Sequence, residues 1–175
     1  MHPARLPEIE LRKSLRAENT RGSGPGGQHR NRVATAMRLT HIPTGIMGSA
    51  SERRERKANE RVAMQRLRLN LALQHRTPLV DENFVAPGAY EPSDEWERRR
   101  RGQKIRVNTE HVDFAAVLAE VLDRLLVDED DLERTASAFR ISKSQLVKFL
   151  ALEPVALSQL NERRKARGKR PLRAP

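Results

Sequence analysis

Arg21-Gly22-Ser23-Gly24-Pro25-Gly26-Gly27-Gln28 is the stretch on which the reading of this sequence turns, and it holds four of the chain's nine glycines. So loose a segment repays its ordering entropy only where it needs backbone conformations or close approaches that a side chain would block. Upstream, Ile9 and Leu11 alternate with Glu8 and Glu10, and Leu15, Ala17 and Asn19 alternate with Arg16, Glu18 and Thr20. Each alternation predicts a short half-buried strand. Downstream, after a short helical turn, residues 36–42 read as a strand, Pro43-Thr44-Gly45 as a hairpin turn and residues 46–50 as the return strand. A helix from Ser51 or Glu52 to about Leu73 follows, with Ala58, Val62, Leu69 and Leu73 along one stripe and Met64, Leu67 and Leu71 beside it. Residues 1–75 are therefore expected to form a small α+β domain of short strands, glycine loop, hairpin and long helix.

Beyond it, Pro78, Pro87, Gly88 and Pro92 mark residues 76–93 as a linker. Residues 94–160 read as an all-helical module. Ser93 or Asp94 caps a short helix through Arg101 that ends at Gly102, and Phe114, Leu118, Val121, Leu122 and Leu125 stripe a helix over about 110–127. Asp131–Phe139 reads as another helix, Ser142-Lys143-Ser144-Gln145 as a capping box, and Pro154 as the first turn of a last helix bearing Val155, Leu157 and Leu160. Residues 161–175 are expected to be a frayed basic tail. Within the module, Ala136, Arg140, Ile141, Ser142, Gln145, Leu146 and Lys148 are spaced as in a helix-turn-helix over 131–150, with Arg140 where the turn glycine would stand.

The chain has 175 residues, 34 Lys plus Arg against 23 Asp plus Glu, and a formal net charge of +11. With no cysteine, thiolate metal sites and disulfides are excluded. No apolar run approaches the roughly 20 residues of a spanning helix, and the start lacks a signal-peptide core, so a soluble, cytoplasmic protein without a membrane partner is expected. The basic excess predicts a polyanionic partner. It is uneven: residues 1–75 carry 15 basic and 6 acidic side chains, residues 76–160 carry 12 and 16, and residues 161–175 carry 7 and 1. Phe84, Tyr90, Trp96, Phe114, Phe139 and Phe149 all lie after residue 75. The basic first part has no ring on which to stack a base, so recognition there is expected through phosphates, sugars and backbone.

Gly22-x-Gly24-x-x-Gly27 matches a dinucleotide-binding fingerprint, but the element after it is too short for a crossover helix. About twenty residues on stand Met47 and Gly48, with no carboxylate for a ribose. No Gly-Lys-Ser or Gly-Lys-Thr follows, which excludes a Walker loop. His2, His29, His41, His75 and His111 have no ligand-like spacing, and Ser23 has no nucleophile elbow. What remains is a glycine pair presenting Gln28. A neutral amide is no general base, but a backbone N–H offered by such a loop can stabilise an oxyanion.

Ser23-Gly24-Pro25-Gly26-Gly27-Gln28-His29-x-Asn31-Arg32, continued by Arg38-Leu39-Thr40-His41-Ile42-Pro43-Thr44-Gly45-Ile46, closely resembles the catalytic domain of class I peptide chain release factors. It is equally similar to the short, stop-codon-independent ribosome rescue hydrolases built on that domain. The likeness covers residues 8 to about 74. It implies a loop that enters the peptidyl transferase centre and promotes hydrolysis of the ester joining nascent peptide to P-site tRNA. Gly26 and Gly27 would take backbone angles closed to other residues. The Gln28 N–H would stabilise the tetrahedral transition state, and the Gln28 side chain would place water. The general base would come from RNA or substrate, and no cofactor or metal is implied. The family's glutamine is often N5-methylated, which makes Gln28 a modification candidate and a glutamine methyltransferase a candidate partner.

By the same resemblance, Arg21, Asn31, Arg32 and Arg38 are assigned to large-subunit ribosomal RNA. The residues themselves leave open that Asn31 caps the short helix and that Arg38 is an exposed strand residue. Two departures stand out. Arg32 replaces the family's usual lysine, and the Arg-Ser-Gln that often opens the long helix is here Arg54-Glu55-Arg56, with Asn59 three residues on. Only seven residues precede the first expected strand, so no stop-codon-reading domain is expected there. The function expected is a monomeric, codon-independent peptidyl-tRNA hydrolase in ribosome rescue. The alternatives are a non-catalytic ribosome-binding factor and a nucleic-acid-binding regulator using segment 131–150.

Overall fold

A computed structural model describes residues 1–20, 35–77 and 90–173. The chain divides into two compact units, Pro3–His75 and Arg76–Pro175. The expected linker 76–93 lies mostly outside the described residues, as does the short helical turn expected after Gln28.

The first unit is α+β, as expected. After a 3-10 turn at Pro3–Arg5 come helix α1 (Glu8–Arg12), strand β1 (Leu15–Thr20), strands β2 (Ala36–His41) and β3 (Met47–Ala50), and the long helix α2 (Arg56–Gln74). The strands form one antiparallel sheet in the order β1-β2-β3. The strand expected from Ile9 and Leu11 is instead α1. Glu8 and Glu10 occupy its first turn, where carboxylates complement the helix dipole, and Glu8 pairs with Arg12 one turn on. Leu11 is buried while Ile9 is exposed, so the apolar pair does not line a sheet face. The β2–β3 hairpin turns at Gly45, whose φ of +71° is the left-handed value that its position requires.

Helix α2 covers the sheet through a stripe displaced from the expected one. The buried face runs Asn59, Ala63, Met64, Leu67, Arg68 and Leu71, whereas Val62 and Leu69 are only half-buried. Two polar residues sit in this face because each is fully occupied by backbone. Arg68 donates to the carbonyls of Ala4 and Leu6, both at 2.8 Å, which lashes the N-terminal segment to the helix. Burial lowers its pKa below the ordinary arginine value. The helix begins at Arg56, a turn later than expected. Its carbonyl-side edge is also tied to the sheet, where Arg66 donates to Ser49 O and Asn70 to Met47 O, both at 2.7 Å. Gly48 lets the two layers meet. A Cβ there would lie 2.3 Å from Ala63 O and from Leu67 N.

The second unit contains helix α3 (Asp94–Arg99), a two-stranded hairpin β4 (Arg100–Arg101) and β5 (Lys104–Ile105), and helices α4 (Phe114–Val127), α5 (Leu132–Ala138), α6 (Lys143–Ala151) and α7 (Pro154–Ala166). Here α3 stops at Arg99, and Arg100–Arg101, expected to be helical, turn into the hairpin through Gly102 at φ +58°. Ser93, Asp131 and Ser142 cap their helices with side-chain acceptors, and Pro154 opens α7. The described aromatic residues, Tyr90, Trp96, Phe114, Phe139 and Phe149, are core. Trp96 is fully buried 4.4 Å from Phe139 and 5.7 Å from Phe149, and its indole N–H donates to Phe139 O. Helix α4 is buried continuously from Phe114 to Leu125, more than a stripe. Its Glu120 accepts from Tyr90 and Ser93, and its Arg124 pairs with buried Asp128 at 2.8 Å. Of the apolar residues expected inside α7, Leu160 is buried but Val155 is exposed. The tail expected to fray from residue 161 continues α7 to Ala166. It then folds back, with Asn161 and Leu172 exchanging two hydrogen bonds of 2.9 and 2.7 Å.

Candidate functional site

The glycine loop is built on the open end of the β1–β2 ladder. The register pairs Thr20 with Ala36, so the chain leaves β1 and enters β2 one ladder step apart, about 5 Å between Cα atoms. The segment between Thr20 and Ala36 thus starts and ends at the last residue pair of an antiparallel ladder. Arg21, Gly26, Gly27, Gln28, Asn31 and Arg32 fall in that segment and lie outside the described residues. Arg38 is placed two residues into β2. It is the one exposed residue of a strand otherwise buried, opposite Glu18 on β1 and Ser49 on β3. It has no ion pair among the described residues, because Glu18 is taken by Arg16 at 3.4 Å.

The loop's exit is pinned by a residue that carried no chemical role in the sequence. Asn59 is fully buried on α2, and its amide makes three hydrogen bonds. Its Nδ2 donates to Thr35 O at 2.7 Å and to Arg53 O at 2.9 Å, while its Oδ1 accepts from Arg53 N–H at 2.9 Å. One side chain therefore joins the last loop residue, the turn before α2 and the helix itself. The signal was present in outline: an asparagine at a position where the α2 periodicity asks for a buried side chain is explicable only if its amide is consumed.

That turn and the start of α2 carry further unpaired positive charge. Arg53, Arg54, Arg56, Lys57 and Arg61 are all exposed, and none forms an ion pair among the described residues. Helix α2 has no acidic residue in its first turn. Cations at a helix N-terminus oppose the macrodipole, so the arrangement is one that folding alone does not favour. Through Asn59 the cluster is tied to Thr35, the first described residue after the glycine segment. His41, at the far end of β2, is buried and shares a 2.8 Å hydrogen bond between its Nδ1 and Thr44 Oγ1. It belongs to the hairpin, as its sequence position suggested. Among the described residues there is no group of three or more His, Asp or Glu that could hold a metal ion. No helix among them is long and apolar enough to cross a membrane.

Comparison with known proteins accounts for this architecture. The model of the RF-1 domain family matches residues 7–111, so the likeness runs on past the first unit into α3 and the β4–β5 hairpin. Peptide chain release factor 1 of Leptospira biflexa is 34% identical over 143 residues, covering 75% of this chain and 40% of that protein. Peptide chain release factor 2 of an Acidovorax species is 48% identical over 65 residues, 37% of this chain and 18% of the relative. A mouse protein named peptide chain release factor 1-like, mitochondrial, is 37% identical over 73 residues, 42% of this chain and 20% of that one. The chain thus spans at most about 40% of the length of these relatives. No solved structure matches it. A family match over more than half its length, centred on a three-stranded sheet with a glycine loop at the ladder end and a long covering helix, places this chain in the RF-1 domain family of peptide chain release factors.

Proposed function

We propose that this protein is a release-factor-like hydrolase that cleaves the peptidyl-tRNA ester on ribosomes stalled without a stop codon. The observation that carries the reading is the Gly26-Gly27-Gln28 triplet in an RF-1 domain, in the segment between the paired ends of β1 and β2. In this reading the Gln28 backbone N–H donates to the oxygen that becomes negative as water attacks the ester carbonyl. The Gln28 side-chain amide orients that water, and the proton is taken by RNA or substrate. Losing one such donor typically raises the barrier by about 3–4 kcal/mol, a rate loss of roughly a hundredfold to a thousandfold. Arg21, Asn31, Arg32 and Arg38 contact ribosomal RNA around the loop, Gln28 is a candidate for N5-methylation, and the protein works in the cytoplasm as a monomer.

The test is release of labelled peptide from ribosomes programmed with or without a stop codon, comparing wild type with Gly27→Ala and Gln28→Ala. Release at equal rates from both ribosome types, lost in Gly27→Ala, is the expected result. Dependence on the stop codon removes the rescue reading and leaves a release factor. Absence of release by wild type, with ribosome binding intact, favours the non-catalytic ribosome-binding factor.

A further inference from the structure

We infer that the second unit carries its own RNA-phosphate-binding surface, the β4–β5 hairpin with the α5–α6 turn at its base. Residues 98–106 include Arg98, Arg99, Arg100, Arg101, Lys104 and Arg106. The acids nearby are consumed at the base of the hairpin. Arg98 pairs with Glu95 at 3.2 Å, Arg99 with Asp113 at 2.8 Å and Arg100 with Glu97 at 2.7 Å. These three pairs fix the hairpin's root and leave Arg101 and Lys104 at its tip, and Arg106 opposite Arg99 at its root, without an acid. Arg101, Lys104 and Arg106 are exposed, and none forms an ion pair among the described residues.

The register makes the surplus specific. Arg101 stands directly opposite Lys104 in a ladder of only two residue pairs. Like charges facing each other across an antiparallel pair are destabilising, and so short a ladder has little to spare. A polyanion lying across the tip removes that repulsion, and phosphates spaced along an RNA backbone suit cations on a narrow hairpin. The tip carries no aromatic side chain, which fits backbone contact without base stacking.

The hairpin adjoins the segment spaced like a helix-turn-helix. Arg140 in the α5–α6 turn reaches Glu97 at 3.7 Å, on the carboxylate whose other oxygen holds Arg100. Arg140 takes φ +55°, the left-handed angle that a turn glycine would supply, so the turn is formed although the glycine is absent. Part of the acidity of residues 76–160 is turned inward. Glu120, Asp123, Asp128 and Asp130 are buried within the unit, and the last two are paired to Arg124 and to Arg163 and Arg167. The choice of RNA over other polyanions rests on the ribosomal reading proposed above.

The experiment uses the full chain and measures binding to 70S ribosomes, a 20-base-pair RNA duplex and polyglutamate over a salt series. With Arg101→Gln, Lys104→Gln and Arg106→Gln combined, the slope of log affinity against log salt for both RNA targets is expected to fall by about 2–3, with affinity down roughly tenfold or more. Lys104→Glu alone separates binding from folding. It turns the repulsive cross-strand pair into an attractive one, so the melting temperature is expected to hold or rise while RNA binding weakens. Unchanged RNA affinity and slope in both variants overturns the inference. A loss confined to polyglutamate overturns it in favour of an acidic protein partner. Peptide release is a separate readout: wild type that binds RNA through the hairpin yet releases no peptide removes the hydrolase reading and leaves this surface standing.

Discussion

Asn59 and His41 show how single buried polar side chains set the first unit's properties. Replacing Asn59 by alanine leaves Thr35 O, Arg53 O and Arg53 N–H without their partner. Buried backbone groups stripped of a hydrogen bond cost about 1–3 kcal/mol each unless water reaches them. Asn59→Ala is therefore expected to lower stability by about 2–3 kcal/mol in urea unfolding. Asn59→Asp is expected to fail too, because a carboxylate accepts from Arg53 N–H but cannot donate to Thr35 O. Wild-type stability in Asn59→Asp would show that the Thr35 bond does not matter. His41 gives a pH dependence. Burial, with the neighbouring His75 as a smaller cause, pushes its pKa below the ordinary 6.5. Between the folded and unfolded values the unfolded chain binds more protons, so stability rises with pH there. His41 thus contributes stability that is present above about pH 6.5 and lost as pH falls through its depressed folded value. His41→Gln is expected to flatten the stability profile between pH 7 and 5. An equally steep profile in that variant would assign the acid sensitivity to the carboxylates.

At the scale of elements, what the sequence made legible were the features written in residue type. The hairpin at Pro43-Thr44-Gly45, the capped starts at Ser93, Asp131 and Ser142, and the proline opening α7 all follow from local chemistry that tertiary packing reinforces. The features that escaped depend on partners far along the chain. Asn59 and Arg68 displaced the expected buried stripe of α2 because their polar groups are satisfied by Thr35, Arg53, Ala4 and Leu6. Four residues of alternating Glu and apolar side chain fell within α1 because a short alternation cannot be told from a helical turn. Gly48 was readable in principle, since a glycine inside a strand marks a close approach. With Ala63 O and Leu67 N both 2.3 Å from its Cβ position, Gly48→Ala must push β3 and α2 apart. It is expected to cost about 3 kcal/mol or more, at or beyond the upper end of ordinary overpacking. The opposite sign is expected at Arg140. Its φ of +55° strains an L side chain by about 1 kcal/mol, and its only ion pair among the described residues is a 3.7 Å exposed contact. Arg140→Gly is expected to raise the second unit's melting temperature, and a lower one would mean that the Glu97 contact outweighs the strain.

Over the whole molecule, a net charge of +11 conceals which charges are available. In the first unit, Glu8, Glu10, Glu18, Glu52 and Glu60 are each committed to a particular cation: Arg12, Lys13, Arg16, Arg66 and again Arg12. Arg68 is buried as a structural clamp. The uncommitted cations of the described residues are thus concentrated at Arg38 and along residues 53–61, the part of the unit that Asn59 joins to the loop exit. In the second unit Glu120, Asp123, Asp128 and Asp130 are buried, and exposed cations without an ion pair among the described residues include Arg101, Lys104 and Arg106 at the hairpin and Lys165, Lys169 and Arg170 towards the C-terminus. Uncommitted positive charge therefore gathers in local patches on each unit, and not as an even coat. The loop-side patch makes a prediction that separates binding from chemistry and from folding. Combining Arg53→Gln, Arg54→Gln, Arg56→Gln and Lys57→Gln removes four cations that oppose the dipole of α2, so the first unit is expected to be as stable as wild type or more so. If those cations meet ribosomal phosphates, the same protein loses about 3–4 from the salt slope of ribosome binding and needs more ribosome to reach half-maximal peptide release. Its rate at saturation should change little, because the contacts exist before and during the reaction alike. A saturating rate that falls as far as that of Gln28→Ala would instead place the patch in positioning the loop, and an unchanged salt slope would remove it from the interface.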